Sequence, residues 1–130
     1  MVADPSPAIT DLMISLLRGI GVREIARAME SNTAEKILAS ERVDAAVLGF
    51  NLRPRSLAEI VVRLRRSRLP NAHTPVIGIA GEIHEHELKN AALAGVNKVL
   101  RMPISGLDLQ TRLLPLLAPP SERDGHFQEI

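Results

Sequence analysis

Short apolar segments alternate along this chain with longer segments whose apolar residues recur at helical spacing. The short segments are typical of buried β-strands and lie at residues 1–3, 43–48, 75–80 and 98–101, with a weaker candidate at 23–29. Strict alternation of strands with helices predicts a parallel sheet that is covered by helices on both faces.

Five segments carry the i, i+3, i+4 and i+7 apolar spacing of amphipathic helices. In the first of them this spacing places Ile14 on the outward side. The predicted inward residues, helix by helix, are Ile9, Leu12, Met13, Leu16, Leu17 and Ile20; Ala34, Ile37 and Leu38; Leu57, Ile60, Val61 and Leu64; Leu88, Ala91 and Ala92; and Leu109, Leu113, Leu116 and Leu117.

Polar residues and glycine indicate where these helices begin and end. Asn32, followed three positions later by Glu35, predicts a capping box at the start of the second helix. We expect Gly95 to end the fourth helix and Ser105 to begin the fifth. Pro115 should bend or fray the last turn of the fifth helix.

These elements predict a three-layer α/β fold, a (βα)5 doubly wound parallel sheet. Because crossover connections are right-handed, few topologies remain, and we predict the flavodoxin-like strand order 2-1-3-4-5. One domain is expected over residues 1–118. Residues 119–130 are polar apart from Phe127 and Ile130 and are expected to form a flexible C-terminal tail.

The composition is that of a globular protein with an aliphatic core. The chain has 130 residues, of which 45% are hydrophobic and 24% charged, and its only aromatic residues are Phe50 and Phe127. A net charge of +1 gives no overall attraction to nucleic acid or membrane. The absence of cysteine fits a cytoplasmic location, and no apolar run approaches the roughly 18 residues that span a bilayer.

Functional sites of such sheets gather at the carboxyl ends of the strands. At that edge the predicted strands end near Asp4, Gly49, Ala80 and Met102. The side chains at these four positions therefore decide what chemistry the domain can perform.

Across residues 1–118 the chain resembles a response-regulator receiver domain of the chemotaxis-regulator type. The resemblance rests on residues 2–9 and 16–21, on Asn51-Leu52, on Pro75-Val76-Ile77, on Ala94-Gly95 and on Met102-Pro103. It implies a two-component phosphorelay role in a bacterium, and a cis Met102–Pro103 bond. In such receivers two adjacent acidic residues hold magnesium beside an acceptor aspartate, while a hydroxyl residue and a lysine bind the phosphoryl oxygens and an aromatic residue acts as a switch.

The residues at these positions depart from the pattern that the resemblance implies. Only Asp4 matches, as the first acidic residue. The departures are Pro5 for the second acidic residue, Gly49 for the acceptor, Ala80 for the hydroxyl residue, Val99 for the aromatic residue and Met102 for the lysine. One carboxylate is too few for a magnesium site, and glycine cannot act as a nucleophile. We therefore expect a pseudo-receiver that is not phosphorylated and has no enzymatic activity, metal or cofactor, with Asp4 as a relic or a helix cap.

Arginines after the third strand and on the third helix form the other candidate site. Arg53 and Arg55 fit an anion site, and as an alternative function they would bind an anionic nucleotide such as cyclic di-GMP. The arginines on the helix are Arg63, Arg65, Arg66 and Arg68, and Glu59 is expected to pair with Arg63. A solvated helix face is the simpler explanation of these arginines. With so few aromatic residues we do not expect nucleic-acid binding.

Charged and apolar residues late in the chain predict a protein-binding surface. It comprises Lys98, Arg101, Leu107 and Leu114, and Ile14 on the first helix is a further candidate. The expected partners are signalling proteins, namely a kinase, a phosphotransferase or another regulator, or a second copy of this chain in a homodimer. His84 and His86, with His73 nearby, could suggest a metal site. Because a His-x-His pair at a helix start points to two different faces, we do not expect zinc.

Overall fold

The structure, a computed structural model, describes residues 1–117 and 128–129. The described residues form the strands β1 (Val2–Ala3), β2 (Arg27–Ala28), β3 (Ala46–Gly49), β4 (Val76–Ala80), β5 (Lys98–Arg101) and β6 (Gln128–Glu129). They also form the helices α1 (Pro7–Gly19), α2 (Ser31–Ser40), α3 (Leu57–Arg66), α4 (Glu85–Ala94) and α5 (Gly106–Leu113), the last followed by a 3₁₀ turn at Leu114–Leu117. Among these residues no helix is long and apolar enough to cross a membrane.

The strands form one parallel sheet in the order β2-β1-β3-β4-β5-β6. The predicted flavodoxin-like order of the first five strands is confirmed. The sequence analysis did not predict β6, which pairs with β5 so that Lys98 lies opposite Gln128. The predicted tail otherwise falls on residues 119–127 and 130, which lie outside the described residues.

Alternate residues of the strands point to opposite faces of the sheet, and each face has its own aliphatic core. Leu48 and Val76 face α2, α3 and α4, while Val47 and Ile77 face α1 and α5. Strands buried on both faces explain the continuous apolar runs that predicted them.

The inward face of α1 differs from the prediction. Ile14 is buried beside Met13 and Leu17, whereas Leu12 is 40% exposed. The reason is Thr10, which is fully buried because its hydroxyl donates to the carbonyl oxygens of Asp4 and Ser6 at 3.1 and 2.9 Å. With Thr10 on the inward line, the buried face runs through positions 10, 13, 14 and 17, and the candidate Ile14 is not available to a partner.

The predicted helix boundaries are partly confirmed. Ser105 accepts a hydrogen bond from the Asp108 amide at the start of α5, and Gly95 ends α4 with a φ of 105°. The predicted Asn32–Glu35 capping box is wrong, because α2 begins after Glu30 without a side-chain cap.

The last turn of α5 is distorted as predicted for Pro115, but the inward face there differs from the prediction. The α-helix stops at Leu113, two residues before Pro115, and continues as the 3₁₀ turn. Because a 3₁₀ turn has three residues per turn, the phase of the inward stripe changes there. Leu116 remains buried, but Leu117 is exposed rather than inward.

The side chain of Arg65 joins α3 to the amino ends of β4 and β5. Its guanidinium donates to the carbonyl oxygens of Ala72, Thr74 and Gly95 at 2.7 to 3.2 Å, and to Asn97 Oδ1 at 3.0 Å. Asn97 Oδ1 in turn accepts from the Val76 amide at 2.8 Å. Arg65 therefore has a structural role rather than lying on a solvated arginine face.

Candidate functional site

The four strand-end positions singled out by the sequence come together at the carboxyl edge of the sheet. Asp4 directly follows β1, Gly49 ends β3, Ala80 ends β4, and Met102 directly follows β5. These four strands are neighbours in the sheet. Their ends are joined further by a hydrogen bond of 2.8 Å from the Met102 amide to the Ala80 carbonyl oxygen.

Asp4 is held by its backbone and by its side chain. Its amide donates to the Ala28 carbonyl oxygen at 3.2 Å, and its carbonyl oxygen accepts from the Thr10 hydroxyl. The carboxylate Oδ1 accepts from the Ser6 amide at 2.8 Å, and Ser6 itself is the N-cap of α1. Asp4 therefore anchors the residue that caps α1 and is not the cap itself.

The other carboxylate oxygen of Asp4 lies over Gly49. A Cβ added to Gly49 would overlap Asp4 Oδ2 and would lie 2.8 Å from Asp4 Cγ. Real side chains do not approach so closely, so any residue other than glycine at this position requires Asp4 to move. The space at the end of β3 is thus filled by the side chain of the residue that follows β1.

Burial raises the pKa of Asp4 above its ordinary value of 3.8, and the hydrogen bond from the Ser6 amide partly opposes this shift. A carboxyl group whose ionised form is disfavoured is a weaker ligand for a divalent cation. In the part of the chain that the structure describes, no group of three or more His, Asp or Glu side chains is placed to hold a metal ion.

Three further positions compared in the sequence analysis, Pro5, Ala80 and Met102, carry no cation and no hydroxyl group. Ala80 and Met102 are half-buried, and Met102 packs against the core that faces α1 and α5, whereas Pro5 is exposed. The Met102–Pro103 bond is cis, as the resemblance implied, and Arg53–Pro54 is a second cis bond. Of the four strand-end positions, only Asp4 therefore has a polar side chain.

Sequence reasoning missed the part that Phe50 plays beside this edge. Its ring lies over Gly78 in β4, where an added Cβ would come within 2.7 Å of Phe50 Cε1 and 2.8 Å of Leu57 Cδ2. An isolated glycine inside a strand often indicates such a close approach, so Gly78 was the signal that could have found it.

The two candidate anion-binding arginines lie in the loop after β3. Arg53 is exposed, and its guanidinium donates to the carbonyl oxygen of Leu52 at 2.9 Å. Arg55 reaches α2, where its Nη1 donates to Glu35 Oε1 at 3.1 Å and to Asn32 Oδ1 at 3.4 Å. Arg55 is therefore held against α2 and already forms an ion pair with Glu35.

Glu35 also binds Arg63, whose Nε lies 3.0 Å from Glu35 Oε2. The predicted pairing of Arg63 with Glu59 is wrong, because the Glu59 carboxylate accepts from the amide and the hydroxyl of Ser56 in the capping box of α3. A local cap thus takes precedence over the ion pair expected from helical spacing.

The predicted partner surface is only partly exposed. Leu107 and Leu114 are 73% and 55% exposed, and Arg101 is exposed. Lys98 is buried, contrary to expectation, since its Nζ donates to the carbonyl oxygen of Arg112 at 3.1 Å. The structure adds Leu93 on α4, which is 78% exposed.

Comparison with known proteins rests on structure alone. No protein-family model matches the chain. None of the curated proteins matches it either. Solved structures of receiver domains do resemble it along nearly its whole length, at sequence identities of about one residue in five.

Three of these structures illustrate the likeness. A response-regulator receiver domain from Francisella is 20% identical with a TM-score of 0.77, and the match covers 89% of this chain and 93% of that one. The receiver domain of a sensor histidine kinase from Pseudomonas aeruginosa, which holds a magnesium ion in its active-site cleft, is 19% identical with a TM-score of 0.80, covering 89% and 93%. A chemotaxis response regulator from Vibrio cholerae is 19% identical with a TM-score of 0.76, covering 88% and 94%. The chain has the fold of receiver domains.

Proposed function

We propose that this chain is a pseudo-receiver that does not accept a phosphoryl group and acts by binding signalling proteins in two-component-type pathways of the bacterial cytoplasm. Its fold, shared with receiver domains of response regulators and of a sensor kinase, supports a role in signal transduction. The single observation that supports the loss of phosphorylation is the Asp4 carboxylate lying over Gly49.

Phosphoryl transfer to a receiver requires a carboxylate nucleophile, a magnesium ion and a cation that binds the phosphoryl oxygens. Gly49, Ala80 and Met102 supply none of these groups. Asp4 is the one carboxylate among the four strand-end positions, and it is engaged by the Ser6 amide and shielded by burial. These positions assemble no nucleophile–base pair, which supports a regulatory and not an enzymatic role.

Binding at the surface of α5 is the remaining function, and Leu107 and Leu114 are its proposed contact residues together with Arg101. Large exposed aliphatic side chains seven residues apart on one segment are typical of contact stripes. β6 pairs with β5, so β5 is not the edge strand of the sheet beside this surface.

Two experiments test this proposal. Amide NMR spectra recorded with beryllofluoride and magnesium should stay unchanged, and a shift centred near Gly49 would contradict the proposal.

A pull-down from native cell extract should lose its partner with Leu107→Asp/Leu114→Asp and keep it with the control Leu93→Asp, which alters an exposed leucine on another helix. Equal losses would contradict the proposed surface.

The alternative function is a sensor that binds an anionic nucleotide such as cyclic di-GMP through Arg53 and Arg55. The ion pair between Arg55 and Glu35 weakens this alternative, because a ligand would have to compete with the carboxylate. Calorimetry separates the two functions. Micromolar binding that is lost in an Arg53→Ala/Arg55→Ala variant would favour the sensor.

A further inference from the structure

A groove of about 490 Å³ lies between α2 and α3, on the opposite side of the sheet from α5. Because α3 packs more closely against α4 than against α2, the space between α2 and α3 remains open. We call it the α2–α3 groove. It is lined by Asn32, Glu35, Lys36, Arg55 and Arg63, with Leu38, Ala39, Ile60, Leu64, Ser67 and Leu69 completing its walls.

The bottom of this groove and part of its sides are aliphatic. Ile60 and Leu64 form part of the buried core beneath it, while Ala39 is exposed and Leu69 is half-buried at its sides. Its volume is many times the roughly 30 Å³ that one water occupies in the liquid. The groove therefore has room for an aliphatic side chain of a partner.

The charged residues of the groove give it a positive balance. Lys36, Arg55 and Arg63 face one carboxylate, Glu35, which leaves a net charge of +2. The Arg63 side chain is 60% exposed and gives one of its five donors to Glu35. Because Glu35 holds both guanidinium groups in place, binding an incoming carboxylate costs little further ordering of these side chains.

We propose that the α2–α3 groove docks an acidic protein segment that carries an aliphatic side chain. Carboxylates of the segment would bind Arg63 and Lys36, and the aliphatic side chain would pack on Ala39 and Leu69. A nucleotide fits less well, because none of the lining residues is aromatic and able to stack on a base. This surface is separate from the one proposed on α5.

A fluorescein-labelled peptide of glutamate residues around one central leucine is a suitable probe, titrated by fluorescence anisotropy. We expect binding that weakens as salt rises. Replacing the leucine by serine should weaken it further, and replacing the glutamates by lysines should abolish it. No binding of the first peptide, or equal binding of the lysine peptide, would overturn the proposal.

Variants of the protein then locate the peptide. Arg63→Ala and Ala39→Glu should each weaken binding by roughly threefold to tenfold. The matched control Arg66→Ala removes an exposed arginine of the same helix that does not line the groove, and it should leave the affinity unchanged. Thermal unfolding of each variant verifies that it is folded. Equal effects of Arg63→Ala and Arg66→Ala would indicate unspecific attraction and overturn the site.

Amide NMR separates this inference from the proposed function. The peptide should shift the amides of Lys36, Ala39 and Leu69, and the Leu107→Asp/Leu114→Asp variant should bind it as the unmodified chain does. Shifts centred on Leu107 would overturn the proposed groove site without contradicting the proposed α5 surface. If cyclic di-GMP shifted the groove amides and the peptide did not, the site would belong to a nucleotide.

Discussion

The carboxylate of Asp4 occupies the space into which a side chain at Gly49 would project. The two residues are 45 positions apart in the sequence and meet because β1 and β3 are neighbours in the sheet. Glycine at the end of β3 therefore has a packing role. It makes room for Asp4 to fold back and bind the Ser6 amide.

This packing predicts that Gly49→Ala destabilises the fold. Since the new Cβ would overlap Asp4 Oδ2, the free energy of unfolding should fall by about 1–3 kcal/mol, as for other overpacked sites. Asp4→Ala/Gly49→Ala should lose less than the sum of the two single variants, because the first change removes the clash. Urea unfolding of all three variants measures both quantities.

Gly19→Ala is the matched control. An added Cβ there meets nothing within 4 Å, so the same substitution should be neutral or slightly stabilising. If Gly49→Ala behaved like Gly19→Ala, Asp4 would not occupy the position described here.

Asp4 also predicts a particular dependence of stability on pH. Because burial raises its pKa in the folded state above the ordinary value of 3.8, the folded protein binds this proton more tightly than the unfolded chain does. Asp4 therefore contributes most to the free energy of unfolding below pH 3.8, and this contribution is lost as the pH rises through the pKa of the folded state. Asp4→Asn keeps an acceptor for the Ser6 amide but cannot ionise.

Urea unfolding of Asp4→Asn and of the unmodified chain, followed from acid to neutral pH, tests this dependence. Relative to the unmodified chain, the Asn variant should gain free energy of unfolding as the pH rises from 3.8. Above the folded pKa of Asp4 the difference between the two proteins should stay constant. A difference that does not vary with pH, or that varies in the opposite direction, would show that burial does not govern this group.

Arg65 should be the most costly arginine of α3 to replace. Arg65→Ala leaves three backbone carbonyl oxygens and Asn97 Oδ1 without this hydrogen-bond donor. We therefore expect the free energy of unfolding to fall by about 2–4 kcal/mol. Arg65→Lys should recover little, because an ammonium group lacks the planar fork that reaches several acceptors. Arg66→Ala, at an exposed position one residue on, should change stability by less than about 0.5 kcal/mol. Similar losses for the two arginines would contradict this structural role.

Much of the fold was predictable because its strands are buried on both faces. The runs that become β3 and β4 contain only apolar residues and glycine, so their positions follow from the sequence. The inward face of α1 was not predictable in the same way. Thr10 counts as polar in a hydrophobic pattern, yet two backbone carbonyl oxygens satisfy its hydroxyl and allow full burial.

The site was predictable in its residues but not in its contacts. The strand ends identify Asp4 and Gly49, whereas their overlap depends on how two strands pair and on the rotamer of Asp4. Lys98 shows the same limit. A lysine is expected at a surface, but here Lys98 is buried and donates a hydrogen bond to a carbonyl oxygen of α5, 14 residues away.

Intact-mass spectrometry after incubation with acetyl phosphate and magnesium tests the central claim most directly. The unmodified chain should keep its mass, and so should Gly49→Asp, since Ala80 and Met102 still supply no hydroxyl group and no cation. A phosphoryl adduct on the unmodified chain that maps to Asp4 would contradict the account.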